Sequence, residues 1–160
     1  MVQRKQTIKK IIAIATLALA PTLSFAGGHA SIGGHGTARI IVSHVMEGKS
    51  GVLVRNISSD VWIWDNPPEG FDAATGAECT QYIAFAKGQE APVGGTVTCR
   101  VIDGTGDVLI NTGTFQPNNS VLLSTIAATG KWAAFVGAQW VGTTRHPIEG
   151  GSVYDFKPVN

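Results

Sequence analysis

The chain has 160 residues, with 12 lysines and arginines, 11 aspartates and glutamates, and a formal net charge of +1. The cations outside the N-terminal region are scattered rather than clustered, which argues against a nucleic-acid-binding protein. The length suits one domain that buries a substantial core.

The first 26 residues have the three-part layout of a secretory signal peptide. Residues 1–10 carry four cations, residues 11–20 form an uncharged apolar run, and Ser24 and Ala26 supply small side chains at the two positions that a signal peptidase reads. Since a permanent membrane helix needs roughly 20 apolar residues, we favour cleavage near Ala26 over an uncleaved anchor. We therefore expect a secreted or periplasmic protein with eight cations, eleven acids and a net charge of −3.

We divide the chain into a signal peptide (1–26), a flexible Gly/His-rich N-terminus (27–36) and a single β-barrel domain (37–160). Cleavage after Ala26 would make Gly27, Gly28 and His29 the new N-terminus. A free amine, two backbone amides and an imidazole can surround Cu(II) or Ni(II) in a square plane. The alternative is a small-residue start that serves only the peptidase.

The first predicted strand covers residues 37–46. Its alternation places five side chains on one face, namely Ala38, Ile40, Val42, His44 and Met46. If this face points inward, His44 is a base or polar handle in a cavity, with Met46 beside it. The alternative is a core histidine that is bonded to a backbone carbonyl.

Further apolar and β-branched segments predict the remaining strands, while long helices are disfavoured by 20 glycines. We expect loops at residues 65–77 and 143–150, because these segments lack a strand period. The predicted strands cover residues 51–57, 61–64, 79–86, 95–102, 107–115, 120–126, 131–141 and 151–157. The segment 61–64 either continues the strand 51–57 or follows a short turn at residues 58–60.

Cys79 and Cys99 are the two cysteines of the chain, and in an exported protein we expect them to form a disulfide. Free thiols or a metal pair are the alternatives, but the spacing is poor for a zinc site. A bridge closing this ring of 21 residues would stabilise the fold by about 3 kcal/mol. A hairpin that opposes the two cysteines turns near Gln89. The Gly-rich turn at residues 103–107, centred on Thr105, places Val101 opposite Leu109 in the next hairpin.

About eight short strands joined by short turns predict an all-β protein, a closed antiparallel barrel. Such a barrel encloses either a packed interior or room for one small ligand. In the predicted strand 131–141, Trp132 and Trp140 share a face with small residues between them. We take both tryptophans and Tyr82 as candidate ligand-binding residues, together with His44 and Met46.

Three glycine-containing motifs carry a family resemblance. These are Gly106-Asp107-x-Leu109, then Gly113, and the segment 129–133 (TGKWA) followed by Gly137 and Gly142. Over residues 79–142 the pattern resembles the allene oxide cyclase and dirigent superfamily. The resemblance implies a calycin-like, eight-stranded barrel with an apolar cavity, often in an oligomer, and cyclisation or binding of a small apolar molecule.

No convergent set of titratable groups identifies catalytic residues, so the sequence favours binding over catalysis. The leading hypothesis is an exported barrel that binds a small, largely apolar ligand or a partner. The alternatives are a cyclase-like or isomerase-like enzyme on the same barrel, and a periplasmic Cu(II)- or Ni(II)-binding protein. We expect no other cofactor, no nucleic-acid partner and no permanent membrane span; a homo-oligomer is compatible with the sequence.

Overall fold

The computed structural model describes residues 32–159 and confirms an all-β closed barrel of eight antiparallel strands. Each strand pairs with the next along the chain, and β8 returns to pair with β1. The elements are β1 (Gly34–Gly48), β2 (Gly51–Trp64), β3 (Ala74–Ala86), β4 (Gly94–Ile102), β5 (Val108–Phe115), β6 (Ser120–Ala128), a 3-10 helix (Gly130–Phe135), β7 (Gln139–Ile148) and β8 (Gly151–Pro158).

The central strands follow the predicted register. Cys79 lies opposite Cys99, and Val101 lies opposite Leu109. The two cysteines form the expected disulfide, and both are buried. Alternate residues of β4 point inward, since its buried positions are two residues apart.

Strand β1 differs from the prediction because it contains a β-bulge. The strand begins at Gly34, three residues earlier than expected, and its register to β2 shifts between Ile40 and Val42. A bulge inserts one unpaired residue and reverses the sides on which later side chains lie. The prediction of one face from residue 38 to residue 46 is therefore wrong beyond Ile40.

The predicted strand 131–141 is wrong up to residue 138, and the predicted loop 143–150 is wrong up to residue 148. Gly130 and Gly137 have φ values of +51° and +90°, a backbone region that favours glycine. Between them the chain forms the 3-10 helix, and β7 begins only at Gln139. Residues 143–148 belong to β7, which pairs with both β6 and β8.

Aromatic side chains fill one end of the barrel, where the β2–β3 loop, the β4–β5 turn and the 3-10 helix meet. Neighbouring ring centroids in this aromatic cluster lie 4.8 to 6.4 Å apart. The indole of Trp140 donates a hydrogen bond of 2.8 Å to the carbonyl of Ile32, which ties the start of the described chain to this end. The cluster comprises Trp62, Trp64, Phe71, Trp132, Phe135, Trp140 and Phe156.

Asp103 organises the outer layer of this end. Its Oδ1 accepts hydrogen bonds from the backbone and hydroxyl of Thr105 and from the backbone of Asp107. Its Oδ2 accepts from the indole of Trp132 at 2.9 Å and from Nζ of Lys131 at 2.9 Å. Burial by itself raises the pKa of Asp103, but the bonds from Lys131, Thr105 and Trp132 outweigh it and hold the pKa well below its usual range.

We predict that Asp103→Asn lowers the free energy of unfolding by about 3 kcal/mol, because the amide presents its own N–H groups to Lys131 and Trp132. Since the pKa of Asp103 is lower in the folded protein, its contribution is present above the ordinary carboxyl pKa and is lost as the pH falls. Urea unfolding across the acid range should therefore show a shallower loss of stability for the variant. Asp65→Asn, an exposed control, should match the wild type; equal stability of Asp103→Asn would contradict the prediction.

Candidate ligand cavity

A cavity of about 300 Å³ occupies the end of the barrel opposite the aromatic cluster. All eight strands contribute to its wall, and Asn119 of the β5–β6 turn lies at its rim. Ile40 lines the cavity and is 37% exposed, so the cavity opens to solvent at this end. Most of the wall is apolar, including Ile40, Ile83, Val97, Phe115, Val121 and Leu123.

Three polar side chains of β2 lie in a row along the cavity wall. Ser58, Asp60 and Trp62 occupy alternate positions of the strand and therefore share its inward face. All three are buried, with exposed fractions of 0%, 5% and 3%. The row runs from the cavity towards the aromatic cluster, which Trp62 joins.

Tyr154 of β8 reaches across β1 to this row. Its hydroxyl donates a hydrogen bond of 2.7 Å to Oδ2 of Asp60. Gly36 lies opposite Tyr154 on β1, and a Cβ atom at Gly36 would lie 2.8 Å from the phenol ring. The path of Tyr154 to Asp60 therefore depends on the small residues Gly36 and Ala38 in the intervening strand.

The row contains buried polar atoms that have no hydrogen-bond partner among the described residues. These are the hydroxyl oxygen of Ser58, Oδ1 of Asp60 and Nε1 of Trp62. Native proteins leave few such atoms unpaired, since burying an unpaired polar group costs about 1–3 kcal/mol. Three such atoms follow one another along this stretch of the cavity wall.

The electrostatics of the wall are dominated by Asp60. Burial raises the pKa of this carboxyl, and the nearby Tyr154 hydroxyl, Ser58 hydroxyl and Trp62 indole oppose the shift without cancelling it. Burial and the adjacent carboxylate also raise the pKa of the Tyr154 hydroxyl. Among the described lining residues there is no lysine, arginine or histidine to neutralise Asp60.

The disulfide forms part of the same wall. Cys79 and Cys99 both line the cavity, and the Sγ atom of Cys79 lies 3.8 Å from Oδ2 of Asp60. The bridge joins β3 to β4 beside the polar row, so it fixes the cavity wall as well as the fold.

The residues that the sequence singled out for ligand binding do not line this cavity. Trp132 and Trp140 are buried in the aromatic cluster at the other end. His44 and Met46 lie beyond the bulge and are exposed, opposite Arg55 and Leu53. Tyr82 is 41% exposed and also lies opposite Arg55, on the outer face.

The polar row escaped the sequence prediction because residues 58–60 lay between two predicted strands, whereas β2 is one strand from Gly51 to Trp64. This strand also has an inverted pattern. Its apolar residues Val61 and Ile63 point outward and are 49% and 40% exposed, while Ser58 and Asp60 point inward. A hydrophobic-inward interpretation of this strand gives the opposite orientation. The available signal was the alternation of polar and tryptophan residues at even positions from Asn56 to Trp64.

The predicted metal ligands Gly27, Gly28 and His29, like the predicted signal peptide, lie outside the described residues. Within residues 32–159, no group of three or more histidine, cysteine, aspartate or glutamate side chains is placed to hold a metal ion. In the same range, no helix has the length and apolar character that crossing a membrane requires.

No protein-family model, curated protein or solved structure matches this chain. The resemblance to the allene oxide cyclase and dirigent superfamily therefore stays a prediction. The cavity and its polar row are the features from which a function can be inferred.

We predict that Asp60→Asn increases the free energy of unfolding at about pH 7. Burial raises the pKa of Asp60 above its unfolded value, so the ionised carboxylate costs stability at high pH and the protonated form does not. The gain should shrink as the pH falls and Asp60 takes up its proton. Asp155→Asn, which removes a carboxylate bonded to Arg145, should give no such gain. A less stable Asp60→Asn protein at neutral pH would contradict this account.

Proposed function

We propose that this protein binds a small, largely apolar molecule in the barrel cavity. The observation that carries the proposal is the combination of a cavity of about 300 Å³, mostly apolar walls and unpartnered polar atoms on β2. Ligand sites are typically concave and apolar, with a few placed polar groups, and have volumes of roughly 300–1,000 Å³.

The division of the barrel interior supports this proposal. An eight-stranded barrel has room for packed side chains or for one small ligand. Here the aromatic cluster packs one end of the barrel. Most residues that line the other end are smaller, so the space that they enclose stays unfilled. A fold that needed only stability would gain from filling this space, because cavities cost packing energy.

Binding accounts for the site better than catalysis does. Asp60 and Tyr154 are the titratable side chains of the described cavity wall, apart from the bridged cysteines, and they are bonded to each other. His44, the base suggested by the sequence, is exposed on the outer face of β1. An acid–base reaction usually needs separately placed proton donors and acceptors, and the wall offers a single hydrogen-bonded pair.

We also propose that the protein acts outside the cytoplasm. The leader-like N-terminal sequence and the buried disulfide both favour export, since disulfides persist in oxidising compartments. N-terminal sequencing and the intact mass of the protein from its host test this proposal. A retained leader or a mass increased by two hydrogen atoms would contradict it.

We predict that Gly142→Leu weakens the binding of the neutral fluorescent probe N-phenyl-1-naphthylamine by about tenfold or more. Gly142 lines the cavity, and the nearest atom to a Cβ placed there is 3.8 Å away, so a leucine fits the backbone and occupies ligand space. Probe fluorescence, titrated against protein, gives the dissociation constant.

The matched control is Gly76→Leu, on the exposed face of β3, where a Cβ would have no other atom within 4 Å. This variant should bind the probe like the wild type. Equal affinities for all three proteins would place the probe outside the cavity and contradict the proposed site.

A further inference from the structure

We infer that the cavity selects an apolar molecule that carries a protonated amine, and that the Asp60 carboxylate binds this amine. The inference rests on the proposed function, because it names the class of ligand that the cavity would hold. Asp60 is 5% exposed and is the one acidic side chain in the described wall, which contains no cationic side chain. A buried carboxylate is normally paired with a cation, and since the described wall supplies none, a cationic ligand would complete the pair.

Asp60 has acceptor capacity left over. Oδ2 accepts the bond from Tyr154, whereas Oδ1 accepts no hydrogen bond of standard geometry, although the Ser58 and Trp62 side chains lie close to the carboxyl. Ser58, two residues away on the same inward face, has an unpartnered hydroxyl oxygen. A protonated amine has N–H donors for both oxygens and no acceptor of its own, which matches this pair of acceptors.

Aromatic rings border the same position. Trp62 follows Asp60 on the inward face of β2, and the Tyr154 hydroxyl is bonded to Asp60. The faces of such rings attract cations and also contact apolar carbon. The wall therefore suits an amine attached to an apolar body.

Other ligand classes match the wall less well. An alcohol could donate one hydrogen bond to Asp60 but would leave its negative charge uncompensated. A carboxylate would place a second negative charge beside the first, which is unfavourable in a buried site. Burial raises the pKa of the empty site, and a bound cation would favour the ionised carboxyl again.

The test compares three ligands of similar size: 1-naphthylmethylamine, 1-naphthalenemethanol and 1-naphthoate. Each displaces N-phenyl-1-naphthylamine from the full-length protein at neutral pH. We expect the amine to bind at least about tenfold more tightly than the alcohol, with the carboxylate weakest. An alcohol that binds as well as the amine would overturn the inferred ligand class and leave cavity binding intact.

Two variants test whether the Asp60 carboxylate is responsible for the preference for the amine over the alcohol. Asp60→Asn should bind the amine and the alcohol equally, whereas Asp155→Asn, which removes one negative charge near Arg145, should keep the preference. In the wild type the advantage of the amine over the alcohol should also shrink as the pH falls and Asp60 is protonated, which tests the assignment should Asp60→Asn fold poorly. An amine preference that survives in Asp60→Asn would overturn the assignment. Failure of every probe to bind the wild type would instead contradict the proposed function.

Discussion

The pairing of β8 with β1 is the constraint on which the other features depend. The two strands are hydrogen-bonded from Gly34 to Arg39 on β1, and this contact converts an eight-stranded sheet into a cylinder. Once the cylinder is closed, alternate residues of every strand face one common interior. Side chains that are far apart in the sequence, such as Asp60 and Tyr154, then become neighbours.

The interior is divided by side-chain size and polarity. Large aromatic residues pack together at the end that the 3-10 helix covers. Outside this cluster, Asp103 accepts hydrogen bonds from Trp132 and Lys131 of that helix. At the other end the inward positions carry smaller residues, which leave the cavity. The same barrel thus separates a stabilising half from a half whose buried polar atoms cost stability, an arrangement typical of functional sites.

The sequence was sufficient for the fold class, the disulfide and the register of β3 to β5, because these follow from local turn signals and cysteine pairing. It failed where one residue changes the phase of a strand, as Ile41 does in β1. It also failed at Lys131–Val136, where the apolar residues suit a strand but Gly130 turns the backbone into a 3-10 helix.

The candidate site was harder to predict than the fold. Alternation identifies which side chains share a face of a strand, and the more apolar face is then taken as the inward one. In β2 this rule fails, because Val61 and Ile63 point outward and Asp60 points inward. The proximity of Asp60 and Tyr154 also depends on barrel closure, which joins residues 94 positions apart in the sequence. No local motif carries that information.

The small side chains of Gly36 and Ala38 have a consequence for how the barrel responds to its contents. They let the Tyr154 phenol lie across β1, so one hydrogen bond joins the last strand to the second over the seam where the first and last strands meet. A molecule bound in the lumen beside Asp60 would therefore also act on this seam, and the filled barrel would resist separation of its terminal strands more than the empty one.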